Sequence, residues 1–238
     1  MVNIDTVYQK VLNFANKEQR GYITPQEFNL FANQAQKEIF EQYFYDINQF
    51  RRAAGNDTVY ADVDDILEEK LQQFEVVDGP ADVAGWVGAG GGGINKRVPD
   101  YVYRISRIEL NQVECEIMNT ADFNDILQGS PLLSPTNTRP VANIRNNIMR
   151  CRADGGNLVT PTGVFYFRVP ADPAWGYFVI SGKALYNNDE SVDFELHPSE
   201  EVELVYKILK YAGISMQRDD IMRSGQGLEQ LQTQQEKQ

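Results

Sequence analysis

At 238 residues the chain is long enough to bury a sizeable core, in one domain or one domain with extensions. Its 42% hydrophobic and 11% aromatic content excludes wholesale disorder, although the mean hydropathy of -0.44 is polar. A net charge of -12 argues against nucleic-acid binding, since such a surface repels phosphate, but it suits a wall past which DNA slides. No apolar run is long enough to span a bilayer, and Met1 leads into polar residues rather than a signal peptide. The expectation is a protein made in the cytoplasm with no membrane contact.

In chain order, Ile4, Val7, Tyr8, Val11, Leu12 and Ala15 recur at helical spacing, with Asn3 or Asp5 near the start of the helix. A second helix begins at Pro25 and its pattern continues to about Asn48, roughly 35 Å at 1.5 Å per residue. Phe28, Ala32, Ala35, Ile39 and Tyr43 form one stripe, and Phe31, Phe40, Phe44 and Ile47 widen it. So wide an apolar surface predicts more than one packing neighbour, in the chain's own core or in an adjacent subunit. A third helix is expected over Val63–Phe74, with Ile66, Leu67 and Leu71 on one face and Asp62 as its cap.

Ala84–Gly93 (AGWVGAGGGG) then predicts a projecting flexible loop in which Trp86 is free to anchor a partner. From Tyr101 strands dominate: Tyr101–Leu110, a possible partner over Val113–Ile117, Asn147–Arg152, Val164–Val169 and Tyr177–Leu185. A short helix capped by Thr120 runs to Leu127, and the prolines of Ser130–Pro140 mark a loop. Ser199 caps a last helix whose apolar face holds Val202, Leu204, Val205, Ile208, Leu209 and Ala212, with Gly213 as its stop. Arg218–Gln238 is rich in Gln and Glu, with Ile221, Met222, Leu228 and Leu231 as sparse apolar points. Gly225 and Gly227 each weaken a helix there by about 1 kcal/mol relative to alanine.

Motifs with chemistry in them are few. Asn16–Glu27 imitates an EF-hand calcium loop, with Gly21 at its sixth position and Glu27 at its twelfth. Yet Arg20 falls where a hard cation needs an oxygen. The same residues make a polar turn and a helix start, with Thr24 and Glu27 closing a capping box and Pro25 in the first helical position. Gly88, Gly90 and Gly93 satisfy G-x-G-x-x-G, but no strand precedes them and INKRVP opens no helix, so no dinucleotide site is expected. His197, the only histidine, sits before Ser199 as a structural lead-in to the last helix. Cys115 and Cys151 lie far apart in sequence and read as reduced strand cysteines. The acidic runs Asp62–Asp65 and Asp219–Asp220 fit helix starts, and Trp175 is expected to pack in the β region beside Tyr177. No catalytic residue, metal site or cofactor site is assigned, and no enzyme is expected.

The order helix, long helix, β-rich insertion, helix, extended tail resembles the head-to-tail adaptor proteins of tailed bacteriophages. NIDTVYQKV, NKEQRGYITPQEFNLFANQAQKEIFEQYF and AWGYFVISGKALYN…VDFELHPSEEVELVYKIL…AGI look like structural proteins of short-tailed phages, crAss-like and marine types among them. The likeness runs from the first helix to the tail, with Gly79–Pro99 the least typical part.

It implies an α+β fold: an N-terminal helical hairpin with one long helix, a central β-rich region, a C-terminal helix and an extended tail. The corresponding parts are a helical adaptor core of residues 1–78 and 199–217, a flexible loop of 79–99, a β-rich domain of 100–198 and a docking tail of 218–238. It further implies a homo-oligomeric ring of twelve copies under the portal protein at the virion neck, bound also to tail or neck proteins. Genomic DNA would pass through the lumen without specific binding. Phe31, Phe40, Phe44, Ile221, Met222, Leu228 and Leu231 are the candidate partner interface. Another neck or tail ring protein is the alternative within this class, and a calcium-responsive module at Asn16–Glu27 is the alternative outside it.

Overall fold

In a computed structural model, the structure describes residues 1–16, 23–52, 61–129, 131–215 and Gln230. The fold is α+β, with a helix near each end of the described chain. It divides into two compact units: residues 1–73 with 170–238, and residues 74–169.

The first unit opens with α1 (Ile4–Asn16), α2 (Pro25–Arg52) and α3 (Ala61–Gln72). Asn3 caps α1, its Oδ1 accepting from the Thr6 amide at 3.0 Å. The capping box before α2 forms as its residues dictate: the Thr24 amide donates to Glu27 Oε2 at 3.0 Å, and the Glu27 amide to Thr24 Oγ1 at 3.3 Å. The stripe Phe28, Ala32, Ala35, Ile39 and Tyr43 is buried along α2. On α3 Leu71 is buried, while Ile66 faces solvent rather than sharing that face. Asp62 lies within α3 rather than at its cap, because the helix begins one residue earlier.

The chain then builds the second unit from β1 (Glu75–Asp78), α4 (Pro80–Gly85), β2 (Lys96–Arg97), β3 (Val102–Leu110), β4 (Val113–Glu114), β5 (Glu116–Met118), α5 (Thr120–Gln128), β6 (Val141–Arg145), β7 (Ile148–Ala153), β8 (Asn157–Val159) and β9 (Gly163–Arg168). One sheet runs β1-β9-β3-β4, all antiparallel. The other runs β2-β7-β6-β5, with β8 also on β7 and the β5–β6 pair parallel. Asn119 rather than Thr120 caps α5, accepting from the Asp122 amide at 2.9 Å. Val83, Trp86, Ile108, Leu110, Met149, Val164 and Tyr166 form this unit's own core. Strands β1, β2, β6 and β8 were not expected. Asn146 and Asn147, at φ 52° and 56°, make the tight turn that returns β6 onto β7.

The glycine segment is part of this unit and not a free loop. Trp86 is 6% exposed and donates from Nε1 to Asp78 Oδ2 at 2.9 Å, so it offers no exposed anchor. Lys96, also buried, caps the end of α4 by donating to the carbonyls of Ala84 at 3.0 Å and Trp86 at 3.4 Å. The Arg97 amide bonds the Val87 carbonyl at 2.8 Å, and the Ala89 amide the Asn95 carbonyl at 2.8 Å. A pinned hairpin results because these amides and carbonyls find partners that glycine's bare backbone leaves reachable.

From Pro170 the chain rejoins the helical unit, which gives boundaries different from those expected: 170–198 packs with the helices and 74–99 with the sheets. Hydrogen bonding explains the first shift. Buried Gln36 on α2 donates to the Ala171 carbonyl at 2.7 Å and accepts from the Glu195 amide at 3.0 Å. Val2 and Phe194 exchange backbone bonds at 3.2 and 3.1 Å, and Asp193 accepts from the Ile4 amide at 2.8 Å. Phe194 and Leu196 are fully buried, each contributing about 1.5–3 kcal/mol.

Between these contacts Tyr177–Leu185 is not one strand but a ribbon, β10 (Tyr177–Ile180) and β11 (Lys183–Tyr186). The last helix, α6 (Glu201–Ser215), packs against α1 and α2. It continues past Gly213, and Val202 faces solvent rather than the core. His197 supplies its lead-in, Nδ1 accepting from the Ser199 amide at 3.3 Å.

Candidate docking surfaces

The α2 residues singled out from sequence have different environments. Phe40 is 2% exposed, its ring edge-on to Phe44 with centroids 5.2 Å apart, so the chain's own core occupies it. Phe31 and Phe44 are half-buried. The outward face of α2 instead carries Leu30 and Tyr45 among polar residues. Ile221, Met222, Leu228 and Leu231 lie outside the described residues, as do Asp219–Asp220 and Glu18, Arg20 and Gly21 of the calcium-like loop. Glu27 itself is committed to its capping box: the backbone amide and side chain of Thr24 hold its carboxyl below the usual range.

A large exposed apolar face of the helical unit was missed in sequence. Ribbon β10–β11 pairs Tyr177 with Tyr186 and Ile180 with Lys183, and strand alternation puts Phe178, Ile180 and Leu185 on one face with Lys183. These three apolar side chains are 45%, 54% and 44% exposed. The available signal was Ser181-Gly182 in the middle of the run: both residues have positive φ, 51° and 77°, as a two-residue ribbon turn requires.

The ribbon's base is fixed. Buried Trp175 donates from Nε1 to Asp5 Oδ1 at 2.9 Å and from its amide to Asn29 Oδ1 at 2.8 Å. Its ring lies 4.3 Å from that of Tyr8, and 5.8 Å from those of Tyr177 and Tyr186. Trp175 therefore ties the ribbon to both α1 and α2.

A second surface is concave. A recess of about 400 Å³ between α1 and α6 is lined by Phe14, Val202, Val205 and Tyr206, with the Lys10–Glu201 ion pair beside them. Phe14 and Val202 are 47% and 48% exposed.

Elsewhere polar groups are engaged in structure. Among the described residues no three His, Cys, Asp or Glu side chains gather as metal ligands. Asp78 accepts from Trp86 and, at 3.2 Å, from the Tyr166 hydroxyl. Burial first, and this carboxylate next, push the Tyr166 hydroxyl up. Cys115 and Cys151, far apart in sequence, meet in the sheet unit's core. Their thiols hydrogen-bond each other, which lowers Cys115 and, with burial, raises Cys151 well above the usual thiol range. No described helix is long and apolar enough to cross a membrane.

Compared with known proteins, the chain matches no family model and no curated sequence.

Proposed function

We propose that this protein is a virion structural component of a tailed phage, an adaptor that forms a ring beneath the portal, docks the tail and lines the DNA exit path. The observation that carries the reading is the way the chain is divided. The first helices and the last belong to one unit, a β-rich unit is inserted between Gln73 and Pro170, and a further segment follows α6. That is the element order for which an adaptor has uses: helices for the ring body, an insertion for lateral or tail contacts, and a terminal segment to reach a partner. The acidic net charge of -12 suits a conduit wall.

The calcium-responsive reading fares worse on one point, since the Glu27 carboxylate is the acceptor that completes the α2 cap. Removing residues 218–238 tests the docking role. The shortened protein should keep its circular dichroism and lose co-sedimentation with the portal protein of the same virus. Undiminished co-sedimentation would exclude the tail as the docking element.

A further inference from the structure

We infer that the β10–β11 ribbon of one copy seats its Phe178, Ile180 and Leu185 face in the α1–α6 recess of a second copy. The inference deepens the self-association proposed above and rests on that part of it, not on portal binding.

The ribbon is an incomplete object by itself. Among the described residues its sheet has two strands, and no third strand pairs with either outer edge. A lone two-stranded ribbon is marginal in water. This one is held at its base by Trp175, yet it leaves three large apolar side chains in solvent on a single face. The recess is its converse, a concavity with two half-exposed apolar side chains, Phe14 and Val202, over a floor of Val205 and Tyr206. Within one copy they do not fill one another: the ribbon's side chains stand exposed, and the recess is walled by α1 and α6.

Charge agrees with shape. Lys183 is the sole charged residue of the ribbon strands, on the same face as the three apolar residues. Glu201 stands at the recess with its carboxylate only partly covered by Lys10. A ribbon entering the recess sets Lys183 across Glu201 from Lys10, so that two ammoniums share the one carboxylate. Because projection and recess are different patches of one chain, the contact is head-to-tail, the type that propagates into a closed ring or a filament.

The test uses full-length chains with exposed positions changed, so folding is not at risk. Ile180→Cys and Val202→Cys chains, differently tagged and mixed at raised concentration, should join through a short bis-maleimide, while neither joins to itself. A ribbon-blocked chain, Phe178→Asp with Ile180→Asp, and a recess-blocked chain, Val202→Asp, should each sediment as monomers. Mixed together they should form a dimer and nothing larger, since one intact contact remains.

Each contrary outcome overturns the inference in a recognisable way. Self-joining of Ile180→Cys chains would mean that ribbons pair with ribbons. Labelling of Val202→Cys only after residues 218–238 are removed would mean that the chain's own tail fills the recess. Unchanged association of both blocked chains would put the interface elsewhere. Absence of association by the unaltered protein at every concentration, with or without portal, would remove the self-association reading itself.

Discussion

Lys207 shows how charge is held inside the helical unit. Its side chain is 2% exposed and its ammonium lies 3.0 Å from Glu38 and 3.4 Å from Glu203. Burial alone would raise the Glu38 carboxyl, but hydrogen bonds from the Tyr211 hydroxyl and Lys207 outweigh it and hold the group below its usual range. The Tyr211 hydroxyl is pushed up to about 12, first by burial and then by Glu38. The signs follow from linkage. A lowered carboxyl contributes stability that is full above its unfolded value near 4.5 and lost as pH falls through the lower folded value. Glu38→Gln should therefore cost about 1–2 kcal/mol at neutral pH, Glu203 remaining as a partner for Lys207, and flatten the acid limb of a melting-temperature profile below that pH. An unchanged acid limb would show that Glu38 is not linked to folding. Glu27 offers a second test at this scale. Calcium should leave the melting temperature unchanged, and Glu27→Gln should cost on the order of 1 kcal/mol or less through its cap. A calcium-dependent rise abolished by that substitution would reinstate the ion-binding reading.

Among the elements, legibility followed periodicity and length. α1 and α2 could be placed to within a few residues because apolar side chains recur over three or more turns between identifiable caps. β3, β7 and β9 were legible as alternating runs bounded by turn residues. β1 and β6 were not: β1 is four residues long with its partner β9 remote in sequence, and β6 is a five-residue strand whose hairpin onto β7 turns on Asn146-Asn147, inside a run that reads as strand from Asn147 only. Ribbon β10–β11 was read as one strand because YFVI and KALY look continuous once Ser181-Gly182 is passed over. Trp86 was misplaced for a related reason. Glycine-rich composition suggests freedom, but the Asp78 and Lys96 contacts that remove it cannot be seen locally. The docking face of the ribbon depends on which side of a two-stranded element stays uncovered, a tertiary fact. Where the ribbon joins the body, Gly176 is the residue that cannot change. A Cβ there would lie 2.7 Å from the Glu190 carbonyl carbon and 2.9 Å from the Asn187 oxygen, both backbone atoms. Gly176→Ala should destabilise by about 1–3 kcal/mol through overpacking, read in denaturant unfolding. A neutral result would mean that the ribbon base is slack.

For the whole molecule, the fold class was legible and the partition was not. Long amphipathic helices at both ends with strands between them already specify α+β. The chain's return to the helical unit at Pro170 rather than Ser199 depends on Gln36, Asp5 and Val2 finding partners more than a hundred residues away. On the proposed adaptor reading, the protein free in solution at low concentration should be monomeric, with the portal as the template for the ring. A stable free dodecamer would show that no template is needed. The adaptor reading is tested most directly by negative-stain imaging of this protein mixed with the portal protein of its own virus. The account predicts a second ring of matching symmetry stacked on the outer end of the portal. A portal that stays undecorated would contradict it.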